Sequence, residues 1–225
     1  VQITLVRHAQ PEWVKNGLSV DNPPLTALGR EQAERLGERL AAERFDELHV
    51  SPLVRARETV APLLARTGRA ESLEPWLEEI RNPIWHGTPA EKAAAAYREE
   101  RNRPALERWD GLHGGEPVRD FIARIRAGAE EFLARRGIVR VDHDLPIWQV
   151  AEPGRSIGWV AHAGTNSVVI CLLLGLNPTP WEWERFVLAH ASVTRLEALG
   201  MGDGYGFSLW PLSDVEHLAP EQRTF

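Results

Sequence analysis

Three short apolar runs constrain this chain most, because each stops at polar residues and the second and third lead at once into a helix. Gln2 to Val6 leads into Arg7-His8-Ala9-Gln10, Phe45 to Val50 into Ser51-Pro52, and Ser156 to Ala161 into His162-Ala163-Gly164. Short runs that alternate or are rich in β-branched residues form strands. Strands leading repeatedly into helices predict an α/β fold, here a three-layer sandwich with a mostly parallel central sheet and helices on both faces. Sheets of that kind bind ligands at the carboxyl ends of their strands. Arg7-His8, Ser51 to Arg55 and His162 are therefore expected around a single crevice.

The segments between these runs are ordinary scaffold. Thr26 is a natural N-cap for a helix from Ala27 to Glu43, whose Ala33, Leu36 and Leu40 share a face. Ser51-Pro52 is expected to open a second helix, with Pro52 where a missing N–H does no harm and Gly68 at its end. From about 71 to 135 the chain is helical, polar and rich in Trp and Arg, broken by Pro83, Pro89, Pro104 and Pro117. It reads as a helical insertion over the C-terminal ends of the strands, closing with an amphipathic stretch from Phe121 to Arg135. Ile138 to Val141 and Ile147 to Val150, joined through Asp142-His143-Asp144, read as a β-hairpin insertion within about 138–155. Ser192 to Glu197 and Gly206 to Trp210, split by Gly202-Asp203-Gly204, read as a closing antiparallel hairpin. The whole is expected to be one domain over 1–225.

Composition narrows the function. A net charge of -6 argues against a general nucleic-acid or acidic-membrane surface but allows a focused anion pocket. The single cysteine, Cys171, lies in the apolar run Val168 to Leu174, so no intrachain disulfide can form and a buried side chain is expected. That run is about half the length of a membrane span, and Val1 opens on a strand rather than a basic, apolar leader; the reading is a cytoplasmic protein. The eight histidines form no recognisable ligand cluster with cysteines or carboxylates, so neither a metal nor another cofactor is expected. A homodimer stays open, since the closing hairpin could present an edge strand.

An imidazole is a useful nucleophile toward phosphorus, being largely neutral near pH 7. An arginine beside it can hold phosphate oxygens with a planar fork of donors. Taken alone, Arg7-His8 reads more simply as a histidine hydrogen-bonded at a strand end, and Arg55 as a solvated helix residue. Arg55 nevertheless falls in the first turns of its helix, where free N–H groups and the helix dipole favour phosphate. Glu78-Glu79 lies beside Trp76, Leu77 and Ile80, a partly buried turn, although a surface carboxylate pair is the simpler local reading. Two histidines and two arginines after strand ends suit a phosphoryl group.

These stretches, in order, resemble the histidine phosphatase superfamily, the phosphoglycerate-mutase-like enzymes. The likeness rests on Leu5-Val6-Arg7-His8-Ala9-Gln10, Pro24-Leu25-Thr26 with Gly29 and Gln32-Ala33, Ser51-Pro52-Leu53-Val54-Arg55-Ala56 with Thr59, and Val160-Ala161-His162-Ala163-Gly164. Weaker echoes are Leu77-Glu78-Glu79-Ile80, Gly115-Glu116, Ser192-Val193-Thr194 and Asp214 to Leu218. The resemblance implies a metal-independent phosphomonoesterase acting on a small phosphorylated metabolite. His8 would become phosphorylated, Arg7, Arg55 and His162 would bind the oxygens of the transferring group, and Glu79 would serve as acid and base, with Glu78 as runner-up. It also implies phosphate contacts from Gln10 and, more weakly, from Asn16 and the backbone at Ala163. A mutase, which needs further basic contacts, and a catalytically silent phospholigand-binding module are the alternatives.

Several positions depart from the family pattern. Ala9 and Ala163 replace the usual glycines, Pro11 a hydroxyl residue, and Val14 an asparagine that Asn16 follows two residues later. Arg81-Asn82-Pro83 and His86 also differ, so substrate contacts there do not carry over. Trp85, His86, Trp109, His113 and the 138–155 segment are the expected specificity wall, although the tryptophans serve equally well as core.

Overall fold

The structure is a computed structural model that describes residues 1–142 and 144–225; His143, expected in the connection of the second hairpin, lies outside the described residues. In chain order the elements are β1 (Gln2–Arg7), β2 (Val14–Lys15), β3 (Leu18–Ser19), α1 (Ala27–Ala41), β4 (Glu47–Val50) and α2 (Val54–Thr67). There follow α3 (Ala90–Asn102), α4 (Val118–Ala134), β5 (Ile138–Arg140), β6 (Trp148–Val150), β7 (Ser156–Ala161), α5 (Ala163–Leu174), α6 (Glu182–Arg185), β8 (Val193–Met201) and β9 (Gly204–Leu209). One-turn 3₁₀ helices cover Pro75–Leu77, Glu107–Asp110 and Pro220–Gln222.

Seven strands form one sheet in the order β4-β7-β1-β8-β9-β6-β5. Only the β1/β7 and β4/β7 pairs are parallel; β1/β8, β8/β9, β6/β9 and β5/β6 are antiparallel. The expected mostly parallel sheet is therefore corrected to a mixed, mostly antiparallel one. The physical reason is connectivity: helical crossovers serve β1, β4 and β7, whereas two hairpins supply β5, β6, β8 and β9, and a hairpin can only pair antiparallel. The closing hairpin is also interior rather than an edge, because β8 pairs with β1 and β9 meets β6 through Tyr205 and Trp148; the edges are β4 and β5.

Period-two alternation sorts the central strands between two cores. Ile3 and Leu5 of β1 join Ile157 and Trp159 of β7 against Phe121, Ile125 and Phe132 of α4 and Val169 and Leu172 of α5. Val6 and Val160 instead join Val50 of β4 against Leu36 and Leu40 of α1 and Val60 and Leu63 of α2. Both faces of β1 and β7 are covered, which is why these segments read as nearly continuous apolar runs. The Phe121 to Arg135 stretch thus belongs to the main core as α4.

The local signals fare unevenly. Thr26 caps α1, its hydroxyl accepting from the Gly29 N–H at 2.9 Å, and Gly68 closes α2 in the left-handed conformation with φ 67°. Helix α2 begins at Val54 rather than at Pro52, because Ser51 is still bonded to Val160 of the neighbouring strand and Leu53 keeps extended angles. Cys171 is buried in α5, its thiol donating to Glu182 Oε2 at 2.9 Å. Among the described residues no helix is long and apolar enough to cross a membrane.

Candidate active site

Strand ends assemble the site. In the parallel register Arg7 pairs with Ala161 and Val50 with Val160, so His8, Ser51 and His162 emerge side by side. The His8 and His162 rings lie 5.1 Å apart between centroids, and both residues are buried. Strand β8, antiparallel to β1, begins beside the end of β1 and brings the residue His190 to the same place, its ring 5.7 Å from that of His8. His190 was not singled out from sequence. The only signal available was a histidine shortly before a strand, which becomes informative once that strand is known to pair antiparallel with β1.

The imidazole of His8 is oriented by its neighbours. Nδ1 lies 2.8 Å from the Ala9 carbonyl oxygen, which can only accept, so Nδ1 carries the proton and Nε2 keeps its lone pair. Ala9 is fixed in turn, its N–H donating to Thr59 Oγ1 at 2.9 Å while that hydroxyl donates to the Arg55 carbonyl at 2.6 Å. Burial, followed by the charges of Arg55, His162 and Arg7, holds the His8 imidazole well below its ordinary pKa, so it is neutral.

Arg55 is 4% exposed in the first turn of α2, and its guanidinium lies 4.8 Å above the Trp13 ring. Arg7 donates from Nη1 to the Leu188 carbonyl and from Nη2 to His190 Nε2 at 3.0 Å. Burial lowers both guanidinium groups to about 10, with the Glu79 carboxylate opposing that effect, so both remain charged near neutrality. His162 Nε2 pairs with Ser51 Oγ at 2.8 Å, and burial plus Arg55, Arg7 and Arg124 hold this imidazole well below its ordinary value. Arg7 Nε, Arg55 Nε and His162 Nδ1 are buried without a partner. Buried polar atoms are normally hydrogen-bonded, so orphans gathered in one place mark a ligand site.

The two adjacent glutamates part company. Glu79 Oε2 accepts from the Gly164 N–H at 2.8 Å, in the first turn of α5, and Oε1 accepts from its neighbour Ile80 at 3.0 Å. A carboxylate at a helix N-terminus is well placed electrostatically. Its charge acts on Arg7, Arg55 and Tyr97. Glu78 instead pairs at 3.3 Å with the exposed Arg81, and only its backbone carbonyl faces Thr165 and Arg124.

The remaining expected residues are scattered. Gln10 is next to the crevice, but its Oε1 accepts from Thr26 Oγ1 at 2.8 Å and its N–H donates to Gln32. Ala163 is half-buried as the first residue of α5, and its carbonyl accepts from Ser167. No hydrogen bond joins Asn16 to the cluster among the described residues. It is exposed in the turn of the β2/β3 hairpin, where Asn16 with φ 53° and Gly17 with φ 77° match the two left-handed positions of a tight hairpin turn. Of the expected wall, Trp85 is buried against Tyr97 and Trp109 packs on the core, while His86 and His113 are exposed. The 138–155 segment is corrected out of that wall: it pairs with the distal part of the β8/β9 hairpin and its Pro153 carbonyl meets the Val1 amino group, at the opposite end of β1 from His8. Tyr97, on α3, was missed from sequence; burial and Glu79 push its hydroxyl up to about 12, so it stays protonated.

A family model for the histidine phosphatase superfamily, branch 1, matches residues 3–205. The chain belongs to that superfamily. It is an enzyme of the phosphatase class, as membership and its named relatives indicate. Phosphoserine phosphatase 1 of Hydrogenobacter thermophilus is 29% identical over 153 residues, covering 65% of this chain and 72% of the relative. Glucosyl-3-phosphoglycerate phosphatase of Mycolicibacterium vanbaalenii is 28% identical over 192 residues, covering 80% and 77%. Among solved histidine phosphatase structures, a mycobacterial glucosyl-3-phosphoglycerate phosphatase in complex with VO3 superposes with a TM-score of 0.71 at 26% identity, covering 95% of this chain and 99% of that one.

Proposed function

We propose that this chain hydrolyses a small organic phosphate monoester, without a metal, through a phosphohistidine on His8. The observation that carries this reading is the buried, Nδ1-protonated His8 whose free Nε2 stands among Arg7, Arg55 and His162. In the first step Nε2 attacks phosphorus, the bond to the leaving oxygen breaks, and Glu79 in its acid form protonates the departing alkoxide. In the second, Glu79 takes a proton from water as that water attacks phosphorus, and the His8–phosphorus bond breaks to release phosphate. Arg7 and Arg55 neutralise charge on the transferring group, and His162, with Ser51 donating to Nε2 so that Nδ1 carries the proton, donates a hydrogen bond to it. Gln10 and the backbone at Ala163 are held as outer contacts, and Asn16 as a turn residue with at most a peripheral one.

The named relatives act on phosphoserine and glucosyl-3-phosphoglycerate, which supports a small phosphorylated metabolite as substrate. We read the chain as one domain in which the helical excursion, through Trp85 and Tyr97, shapes the approach to His8. The test is release of phosphate from p-nitrophenyl phosphate and from alkyl phosphate esters in the presence of a chelator. Wild type turns over; His8→Ala does not. Glu79→Gln lowers kcat on alkyl esters by about 10²-fold or more, whereas Glu78→Gln stays within a few-fold. Unchanged turnover in His8→Ala would sink the proposal, and phosphate moving between positions of a substrate faster than its release would make the enzyme a mutase.

A further inference from the structure

The segment from Leu188 to Ser192 is built around Arg7 rather than around His8. Leu188 offers its carbonyl to Nη1 and His190 its Nε2 to Nη2. His190 is in turn fixed from behind, its Nδ1 lying 2.9 Å from Thr224 Oγ1 and its N–H donating to the Thr224 carbonyl at 2.9 Å. The fully buried Gln32 holds that strap in place, donating to Thr224 Oγ1 at 2.9 Å and to the Gln222 carbonyl at 2.6 Å while accepting from Gln10 N–H at 2.8 Å. Ala191, buried and without the freedom of glycine, adopts φ 55°, and its N–H meets the His8 carbonyl at 3.2 Å. A non-glycine residue in the left-handed region is costly and persists where its surroundings fix it, often at functional sites.

The chemistry of the partner matters as much as its position. A guanidinium can serve only as a donor, so His190 Nε2 must accept, and its proton resides on Nδ1 facing Thr224. Burial, then the Arg7 charge, push His190 down to about 3, which keeps it a neutral acceptor throughout the working range. A carboxylate would orient Arg7 equally well but would cancel its charge. A neutral imidazole orients the guanidinium and leaves its full charge for an anion, with Arg7 Nε still unpartnered.

We infer that His190, clamped by Thr224, is a positioning residue that holds Arg7 in place without neutralising it, and so sets the affinity of the site for the phosphoryl group. This rests on the proposed reading of Arg7 as a phosphate ligand.

The pair His190→Gln and His190→Glu tests it, since both side chains place an acceptor oxygen about as far out as imidazole Nε2 and differ chiefly in charge. The readouts are the inhibition constant for orthovanadate and the KM-against-kcat split on p-nitrophenyl phosphate near pH 7.5. The Gln variant, which keeps an acceptor for Arg7 but loses the Thr224 contact, is expected within about 10-fold of wild type, and the Glu variant at least about 10-fold weaker than Gln toward vanadate. Equal constants for Gln and Glu in folded proteins overturn the inference. Should either variant fail to fold, Thr224→Val removes one hydroxyl and is expected to weaken vanadate about 3- to 10-fold, with Thr224→Ser restoring it; no change in Thr224→Val is the contrary result. Nitrogen-15 NMR of the wild-type protein should show His190 protonated on Nδ1 and bare on Nε2, and the opposite tautomer contradicts the clamp. Wild-type protein without turnover would overturn the proposed function instead, and the same ranking would then be sought in calorimetric binding of inorganic phosphate.

Discussion

Gly164→Ala separates the position of the Glu79 carboxylate from its presence. A Cβ at Gly164 would lie 2.5 Å from Glu79 Oε1 and 3.1 Å from its Cδ. Ordinary contact starts near about 3.5 Å, so the carboxylate must retreat by about 1 Å. It also loses the geometry of its 2.8 Å bond from the Gly164 N–H. A misplacement of that size at a proton-transferring group costs about 10²-fold in rate. Stability should change little, because the retreating atoms are the end of a flexible side chain. The gain in helix propensity from Gly to Ala, about 1 kcal/mol, also offsets part of the weakened hydrogen bond, about 1.5–3 kcal/mol. The expected melting shift is therefore no more than about 8 °C. Rapid-quench kinetics should show near-normal phosphoenzyme formation from p-nitrophenyl phosphate, whose leaving group needs little protonation, followed by slow hydrolysis and hence a burst. On an alkyl phosphate ester both steps should be slow. Wild-type kcat on the alkyl ester, in a protein that keeps its fold, would refute the assignment of Glu79.

Other perturbations follow from the same geometry. Arg55→Lys loses the planar fork and the stacking on Trp13, and kcat/KM should fall by about 10²–10³-fold with little loss of stability; a change under 5-fold speaks against direct phosphate contact. His8, His162 and His190 are all held below the ordinary histidine range by burial and neighbouring arginines. The unfolded chain therefore binds more protons than the folded one below about pH 6.5, so stability falls as pH drops through that range, by about 2 kcal/mol at pH 5 for His190, with His8 and His162 acting in the same direction. Denaturant titrations at pH 7.5 and 5 should show the loss, reduced by about 2 kcal/mol in His190→Gln; a flat profile contradicts it. Asn16→Ala should cost about 1 kcal/mol at its left-handed position yet leave kcat/KM within about 3-fold, and a larger kinetic loss would restore it as a phosphate contact.

The parts of this site that follow parallel strands were legible in the sequence. Arg7, His8, Ser51, Arg55 and His162 each sit just past an apolar run, and a strand fixes where its next residue points. Glu79 and Glu78 lie in one turn and only the family likeness separates them in the sequence; in the fold their partners part, Gly164 for Glu79 and Arg81 for Glu78. His190 and Tyr97 were invisible because their place depends on pairing over long separations: one precedes an antiparallel strand, and the other projects from α3, whose sequence reads as a solvated helix. The sheet was misjudged for the same reason. Local patterning identified the later hairpins as hairpins, but nothing in them announced that β8 would insert beside β1 and displace the sheet toward antiparallel pairing. Asn16 stands before a glycine in a tight hairpin turn, and its left-handed backbone accounts for an asparagine there without a phosphate contact.

The proposed activity turns on the covalent state of one side chain. Protein mixed with labelled p-nitrophenyl phosphate and quenched within milliseconds should carry an acid-labile, base-stable phosphate that peptide mapping assigns to His8, absent from His8→Ala and longer-lived in Glu79→Gln. Turnover without any such intermediate, or label on a residue other than His8, would contradict it.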